Sequence, residues 1–181
     1  MALASLRPSP DLVSVITLLL AALAAWALAA GAGIAGGLLV HLTSVLDGVD
    51  GEVARLQLRD RPLGAFLDGI VDRLADAAIV AGLGVWALGS AGGPLVVWLV
   101  VAAATASILS MASKDRIAAL GMRLPRERGL GYALGGRDGR LLLVAVLSLL
   151  GQPLIALVSV AVASGLALVL RALATRSTGM G

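Results

Sequence analysis

Six aspartates lie within the short stretch LDGVDGEVARLQLRDRPLGAFLDGIVDRLAD, residues 46–76, of a chain that is otherwise strongly apolar. Asp47 and Asp50 are three residues apart, and Asp68 and Asp72 are four apart, so each pair lies on one face of a helix. Two antiparallel helices would present these four carboxylates to one point. Mg²⁺ and Mn²⁺ prefer oxygen ligands and relieve the repulsion between such groups. The spacing therefore predicts a site for divalent cations.

A pair of such ions favours phosphoryl transfer, because the ions neutralise phosphate oxygens and stabilise the entering and leaving groups. A zinc site is not expected, since the chain has no cysteine and His41 is its single histidine. Gly51, Ala54 and Gly64 would let a ligand approach the helices closely, although each glycine alone more often indicates close helix packing. Arg55 is suited to a bidentate grip on a phosphate.

The composition indicates the class of protein that carries these acids. The chain has 181 residues, 59% of them hydrophobic and 14% charged, against roughly 25% charged residues in soluble domains. Its mean hydropathy is +1.00, and an integral membrane protein is therefore expected. No removable signal peptide is predicted, and the length suits one compact unit. The basic residues cluster near the ends of the predicted spans, which membrane topology explains without nucleic-acid binding.

Three uncharged runs, residues 12–46, 77–113 and 141–170, are each too long for one span of about 20 residues. Each contains a glycine- or proline-rich break, which predicts a helical hairpin. The prediction is an all-α bundle of six transmembrane helices in a single domain of residues 1–176, followed by a short tail, 177–181. The predicted helices cover residues 12–30, 34–55, 64–88, 95–115, 130–150 and 154–172.

The distribution of charge predicts the orientation of the bundle. All 14 Lys and Arg residues lie away from the three hairpin tips. The positive-inside rule therefore places both termini and the aspartate stretch at the cytoplasmic face of the inner membrane.

The second, third and fifth predicted helices have uncharged stretches too short to cross about 30 Å of hydrocarbon at 1.5 Å per residue. They must extend into their charged flanks, and ionisable groups at such depth mark function by default. We expect these three helices to meet around a cavity open to the cytoplasm. Short or tilted helices with their charges at the headgroup level are the alternative.

The aspartates belong to a longer pattern, D-x2-D-G-x2-A-R-x8-G-x3-D-x3-D, which resembles the signature of the CDP-alcohol phosphotransferase family. The six-span layout is also similar to the layout of that family. All eight fixed positions of the signature are filled, by Asp47, Asp50, Gly51, Ala54, Arg55, Gly64, Asp68 and Asp72.

The resemblance implies an enzyme that transfers the phospho-alcohol group of a CDP-linked alcohol, usually CDP-diacylglycerol, to an acceptor hydroxyl and releases CMP. It implies two divalent cations, Mg²⁺ or Mn²⁺, and a homodimer. The implied metal ligands are Asp47, Asp50, Asp68 and Asp72. Asp72 is either a ligand only or also the catalytic general base. The implied CDP-binding residues are Asp47, Gly51, Ala54, Arg55 and Gly64.

Asp76 continues the face of Asp68 and Asp72 by one more turn but lies outside the signature. Its pairing with Arg73 or with the fifth helix is as consistent with the sequence as a catalytic role.

A second basic segment suggests how the acceptor is selected. Lys114 and Arg116 close the fourth predicted helix, and Arg137 and Arg140 open the fifth. These four would form a basic pocket for an anionic acceptor, or they would serve only as anchors at anionic lipid. They resemble elements of phosphatidylinositol-phosphate synthases, although Asp115 interrupts the first element. Inositol phosphate is therefore the expected acceptor, with glycerol 3-phosphate or another polyol as acceptor, or CDP-inositol as donor, as alternatives.

A divalent-cation transporter is the alternative of a different class, with the acids lining a permeation path. It predicts charges that reach toward both faces of the membrane. The hairpin tips carry no charge, so the enzyme is favoured. The expected partners are the CDP-linked donor, the small anionic acceptor and membrane lipid, and no nucleic acid.

Overall fold

The structure is a computed structural model that describes residues 10–56, 62–122 and 135–178, with side chains described for residues 14–48, 64, 66–122 and 135–176. These residues form six α-helices, which confirms the predicted all-helical class. The helices are α1 (Pro10–Ala29), α2 (Gly33–Leu56), α3 (Pro62–Ala91), α4 (Pro94–Ala119), α5 (Arg137–Leu149) and α6 (Pro153–Thr178).

The helix boundaries follow from proline and glycine chemistry. Four helices begin on a proline, whose fixed φ suits the first helical position and whose missing N–H is not needed there. The breaks between α1 and α2 and between α5 and α6 fall where the glycine signals predict. Gly31 and Gly151 adopt positive φ values of 75° and 69°. Their N–H groups donate to the carbonyls of Leu28 at 2.8 Å and Ser148 at 3.0 Å, which closes the preceding helix ends.

Four helices have a boundary that differs by three or more residues from the sequence prediction. The first of these, α3, ends at Ala91 rather than at residue 88. The described α5 begins at Arg137 rather than near residue 130, because the preceding Gly136 is extended at φ −67° and ψ 163°. The segment 123–134 lies outside the described residues. α4 continues to Ala119 and α6 to Thr178, beyond the predicted ends at 115 and 172. Both predicted ends lie just past the first charge, Lys114 or Arg171, whereas Lys and Arg are good helix formers and allow the helix to continue.

The helices close into a ring. α1 packs against α2 and α3, α4 packs against α3 and α6, and α5 packs against α2 and α6, while α3 also contacts α6. Small residues allow the closest approach: a Cβ on Gly82 in α3 would collide with the backbone carbonyl of Ala25 in α1. The fully buried core includes Ala21, Ala24, Leu28, Val40, Leu83, Ala87, Ala103, Ala156 and Leu157.

Three of the described helical segments are long and apolar enough to cross a membrane: Phe66–Ala91, Pro94–Ala119 and Pro153–Arg176. Large apolar side chains cover much of the outer surface of the bundle. Trp26 and Trp98 are 68% and 70% exposed near the uncharged ends of α1 and α4, where an aromatic belt is expected at a membrane interface. These features indicate integration into a membrane.

Candidate functional site

Two helices bring three aspartates together. α2 carries Asp47, and α3 carries Asp68 and Asp72 one turn apart. A carboxylate oxygen from each of the three lies within 4.8 Å of the others. A Mg²⁺ ion with oxygen ligands at about 2.1 Å holds opposite ligands about 4.2 Å apart. The spacing of this carboxylate triad, Asp47, Asp68 and Asp72, is therefore close to what one ion requires.

The chemistry of the triad also fits a hard divalent cation. The atoms that could bind a metal are all carboxylate oxygens, without the nitrogen or sulfur ligands that favour zinc. Asp72 Oδ1 is buried and accepts no hydrogen bond from the described residues. A buried acceptor without a hydrogen bond costs free energy unless a ligand or an ion satisfies it. Asp68 is exposed, so the triad can be reached from outside the bundle.

Arg137, the first residue of α5, reaches into the triad. Its Nη1 forms ion pairs with Asp47 Oδ2 and with Asp72 Oδ1, the latter at 2.9 Å. Its Nε donates to Asp76 Oδ1 at 3.2 Å, and the side chain is only 11% exposed. One guanidinium thus connects α2, α3 and α5, which confirms the expected convergence of these three helices.

Asp76 is the buried partner of two arginines. Arg140 donates from Nη2 to Asp76 Oδ2 at 2.9 Å and from Nη1 to the Gly135 carbonyl at 2.9 Å. Ser107 Oγ donates to the same carboxylate at 3.3 Å. Asp76 is therefore paired with the fifth helix and not with Arg73. Buried charges need such pairing, because a lone buried ion is costly.

A cavity of about 220 Å³ adjoins the triad, and Asp72 belongs to both. The volume lies below the roughly 300–1,000 Å³ of sites for drug-sized ligands, so the cavity suits a small group. Four basic and two acidic residues contribute to its wall, an excess of positive charge that favours an anion. The lining residues are Gly69, Asp72, Arg73, Ser110, Met111, Lys114, Asp115, Gly135, Gly136, Arg137 and Arg140.

The structure divides the residues predicted for the acceptor. Lys114, Arg137 and Arg140 line the cavity, whereas Arg116 is exposed and does not line it. Residues i and i+2 of an α-helix point to nearly opposite sides, because each residue rotates the chain by about 100°. Lys114 and Arg116 therefore cannot face the same cavity.

The residues predicted to bind CDP are only partly described. Gly64 lies in the first turn of α3 and is partly buried. The remaining motif positions lie on α2, but their side chains fall outside the described residues: Asp50, Gly51, Ala54 and Arg55.

Two residues of the site, Arg73 and Asp115, are not predicted from the sequence. They form an ion pair between α3 and α4 at the cavity wall, with side chains 28% and 65% exposed. Each directly follows a predicted site residue, Asp72 or Lys114, and this adjacency is the signal that would have found them.

A buried arginine supports the far side of the cavity. Arg171 of α6 is 2% exposed and donates from Nη1 to the Ser110 carbonyl at 2.7 Å and to Ser113 Oγ at 2.5 Å. Ser110 itself lines the cavity. The sequence marks Arg171 only as a charge at the end of a span, which gives no indication that it is buried.

Comparison with solved structures shows that the fold is shared with a known membrane enzyme. The phosphatidylinositol phosphate synthase of Mycobacterium tuberculosis with CDP-DAG bound superposes with a TM-score of 0.76 and 24% identity, over 96% of this chain and 89% of that chain. The same enzyme in complex with manganese and citrate gives a TM-score of 0.75, also at 24% identity, over 97% and 86% of the two chains.

Sequence comparison gives a relative with a different name. The bifunctional IPC transferase and DIPP synthase of Rubrobacter xylanophilus is 44% identical over 149 residues, which is 80% of this chain. The chain spans 32% of the length of that relative. A scan against protein-family models matches residues 8–175 to the CDP-alcohol phosphatidyltransferase model. As its aspartate motif predicts, the chain belongs to the CDP-alcohol phosphatidyltransferase family.

Proposed function

We propose that the chain transfers the phospho-alcohol group of CDP-diacylglycerol to a hydroxyl of inositol phosphate and releases CMP. One observation carries this proposal: Asp72 belongs both to the carboxylate triad and to a small cavity with an excess of basic residues. A cation site and an anion site therefore share a wall. The solved structure with the same fold is of a phosphatidylinositol phosphate synthase with CDP-DAG bound, which supports this choice of donor and acceptor.

We assign the cation site to Asp47, Asp68 and Asp72, with Asp50 added by the motif, and propose two Mg²⁺ or Mn²⁺ ions. When bound, such ions neutralise phosphate oxygens and stabilise the entering and leaving groups. The related enzyme crystallised with manganese supports the choice of ion. The motif assigns the CDP moiety to Asp47, Gly51, Ala54, Arg55 and Gly64.

The cavity side chains hold and orient the acceptor. Lys114, Arg137 and Arg140 supply charge-assisted hydrogen bonds to the acceptor phosphate, which leaves a hydroxyl of the acceptor directed toward Asp72. The acceptor oxygen bonds to the phosphorus that carries the alcohol, and the bond from that phosphorus to CMP breaks. The hydroxyl proton passes to Asp72 Oδ1, the buried oxygen that accepts no hydrogen bond from the described residues.

For the whole chain, we propose that all six helices span the inner membrane, with both termini and the site on the cytoplasmic side. The location of the basic residues at one end of the bundle supports this orientation, and the exposed Trp26 and Trp98 near the other end suit the opposite interface. We further propose a single domain over residues 1–176 and a homodimer.

An acceptor screen tests the substrate assignment. Purified protein with CDP-diacylglycerol and Mg²⁺ is offered inositol phosphate, glycerol 3-phosphate and serine separately, and CMP is measured. We expect release with inositol phosphate. Release with another acceptor, together with none from inositol phosphate, would end this assignment while leaving the reaction class intact.

The variant Asp68→Asn tests the role of the triad. It removes a ligand charge at an exposed position, so the protein should fold while CMP release falls by about 100-fold or more, the order seen when a preorganised electrostatic contact is lost. Asp138→Asn is the matched control, because Asp138 is exposed, lies outside the triad and, among the described residues, accepts a 3.4 Å hydrogen bond from Ser44. Unchanged turnover in Asp68→Asn would count against the metal role.

A further inference from the structure

We propose that Arg137 couples the binding of a divalent cation to the binding of an anionic acceptor, by moving from the carboxylate triad to the anion. This inference rests on the proposed function, because it requires the triad to bind cations and the cavity to bind an anion. It adds a mutual dependence of the two ligands, with one side chain as its cause.

The first observation is that Arg137 contacts the same carboxylates that would hold a cation. Nη1 forms ion pairs with Asp47 and with Asp72, and both belong to the triad whose ligand oxygens lie within 4.8 Å of one another. A divalent cation placed between these oxygens would lie against the guanidinium, and the two positive charges repel. Cation binding therefore requires Arg137 to withdraw from Asp47 and Asp72.

The second observation is that the guanidinium is incompletely satisfied where it lies. Nη2 is buried and donates to no acceptor among the described residues, and Nη1 has its ion pairs without hydrogen-bond geometry. The Nε contact to Asp76 at 3.2 Å does meet hydrogen-bond geometry. A guanidinium anchored at Nε, with Nη2 unpaired among the described residues, retains donors for a second partner.

The third observation is that this second partner has a place to bind. Arg137 lines the basic cavity as well as the triad, so its terminal nitrogens can turn toward an anion there while Nε keeps its bond to Asp76. An anion in the cavity would draw the guanidinium away from Asp47 and Asp72. Arg140 lacks this freedom, because its two terminal nitrogens already donate to Asp76 and to Gly135.

These contacts predict reciprocal coupling. An anion that withdraws Arg137 strengthens cation binding, and by linkage the cation strengthens anion binding by the same factor, typically about 5-fold to 150-fold. The acceptor site would thus be completed only when the cation is bound. The charge of Arg137 is used twice, first to neutralise the carboxylates of the triad and then to hold the acceptor.

Manganese titration tests the coupling without measuring activity. Free Mn²⁺ is followed by electron paramagnetic resonance as the ion is added to purified protein, with and without inorganic phosphate, and a protein-free blank corrects for Mn²⁺ bound by phosphate itself. In the wild type, phosphate should lower the Kd for Mn²⁺ by about fivefold or more. In Arg137→Gln, the Kd should already be lowered by about fivefold or more without phosphate, and phosphate should then change it by less than about twofold.

Arg73→Gln is the matched control. It removes one positive charge from the same cavity wall, but the Arg73 side chain pairs with Asp115 and forms no ion pair with the triad carboxylates among the described residues. Its Kd for Mn²⁺ should stay within about twofold of the wild type, with the phosphate effect intact. Equal changes in Arg73→Gln and Arg137→Gln would show a general charge effect and would overturn the proposal.

Arg137→Lys covers the case in which the glutamine variant does not fold. A single ammonium cannot contact Asp47, Asp72 and Asp76 together, so this variant should also bind Mn²⁺ more tightly than the wild type. An Mn²⁺ affinity in either variant that is equal to or below that of the wild type would refute the coupling. By contrast, wild-type protein that binds no Mn²⁺, or that binds it unchanged after Asp68→Asn, would refute the metal site and with it the proposed function.

Discussion

Replacing Asp76 by Asn should destabilise the protein severely while leaving its side-chain volume almost unchanged. Asp76 is 5% exposed and lies between Arg137 Nε at 3.2 Å and Arg140 Nη2 at 2.9 Å. Arg137 keeps its ion pairs with the triad in this variant, whereas Arg140 keeps only the Gly135 carbonyl among its described acceptors. The principal cost is therefore a buried guanidinium left without its carboxylate.

The size of the effect follows from that burial. Removing one partner of a buried ion pair costs about 3–5 kcal/mol. For chains of about 150–250 residues, each kcal/mol shifts the unfolding midpoint by about 2–4 °C. We therefore expect the midpoint of Asp76→Asn to fall by about 6–20 °C. No discount for solvent screening applies, since Arg140 is only 3% exposed.

Thermal unfolding in detergent, followed by circular dichroism, measures this shift. The double variant Asp76→Asn/Arg140→Met should recover most of the lost stability, because it removes both charges of the buried pair. Asp138→Asn is the control: an exposed carboxylate on the same helix as Arg140, whose loss should change stability by no more than about 0.5 kcal/mol. A midpoint for Asp76→Asn close to that of the control, or a double variant less stable than Asp76→Asn, would refute the reasoning.

Two further predictions concern helix packing and the cavity wall. Gly82→Ala should cost about 1–3 kcal/mol of stability, because the added Cβ would meet the Ala25 carbonyl. Gly89→Ala on the same helix is the control, since its Cβ would meet no atom and should cost no stability. Equal thermal unfolding midpoints of the two variants in detergent would contradict this. Asp115→Asn should release Arg73 toward the cavity and lower the KM for an anionic acceptor by about twofold to fivefold, as expected for an exposed ion pair. Acceptor titrations measure it, and an increased KM would count against the assignment of the cavity.

The sequence predicts those parts of the site that depend on spacing within one helix. Asp68 and Asp72 share a face because four residues make about one helical turn, and the structure places a carboxylate oxygen of each beside one from Asp47. The hairpin breaks are predictable for a similar reason: glycine tolerates the positive φ that ends a helix, as at Gly31 and Gly151. In each case the geometry is set by residues that are neighbours in the chain.

Contacts between helices are less predictable, because they depend on the rotation and axial shift of each helix. The sequence left the partner of Asp76 open between Arg73 and the fifth helix. In the structure Arg73 points back along α3 and donates to the Gly69 carbonyl at 2.5 Å, one turn earlier. Helical side chains lean toward the N-terminus, so Arg73 lies toward Asp115 and leaves Asp76 to α5. Helical spacing alone was compatible with an Arg73–Asp76 pair, because the two residues are three apart.

The start of α5 illustrates the same limit. The short uncharged stretch required the fifth helix to extend into its charged flank, and α5 does include Arg137 and Arg140, whose side chains are 11% and 3% exposed. It did not locate the extended Gly136 that precedes the helix. The free energy cost of placing charges in a membrane constrains where the side chains lie but leaves the backbone conformation open.

The charged groups of this site fall into two kinds: those held in place by hydrogen bonds and those free to change partners. Asp76 and Arg140 are buried, and each has hydrogen bonds to the other and to a further group, Ser107 or the Gly135 carbonyl. Any movement of either side chain would break these hydrogen bonds. The charged atoms that are buried without a hydrogen bond among the described residues are Asp72 Oδ1 and the two terminal nitrogens of Arg137. All three lie where the triad adjoins the cavity. Asp72 Oδ1 and Arg137 Nη1 form an ion pair at 2.9 Å, but among the described residues neither atom has a hydrogen bond that holds it there. This is therefore the pair that a cation and an anion entering together can separate.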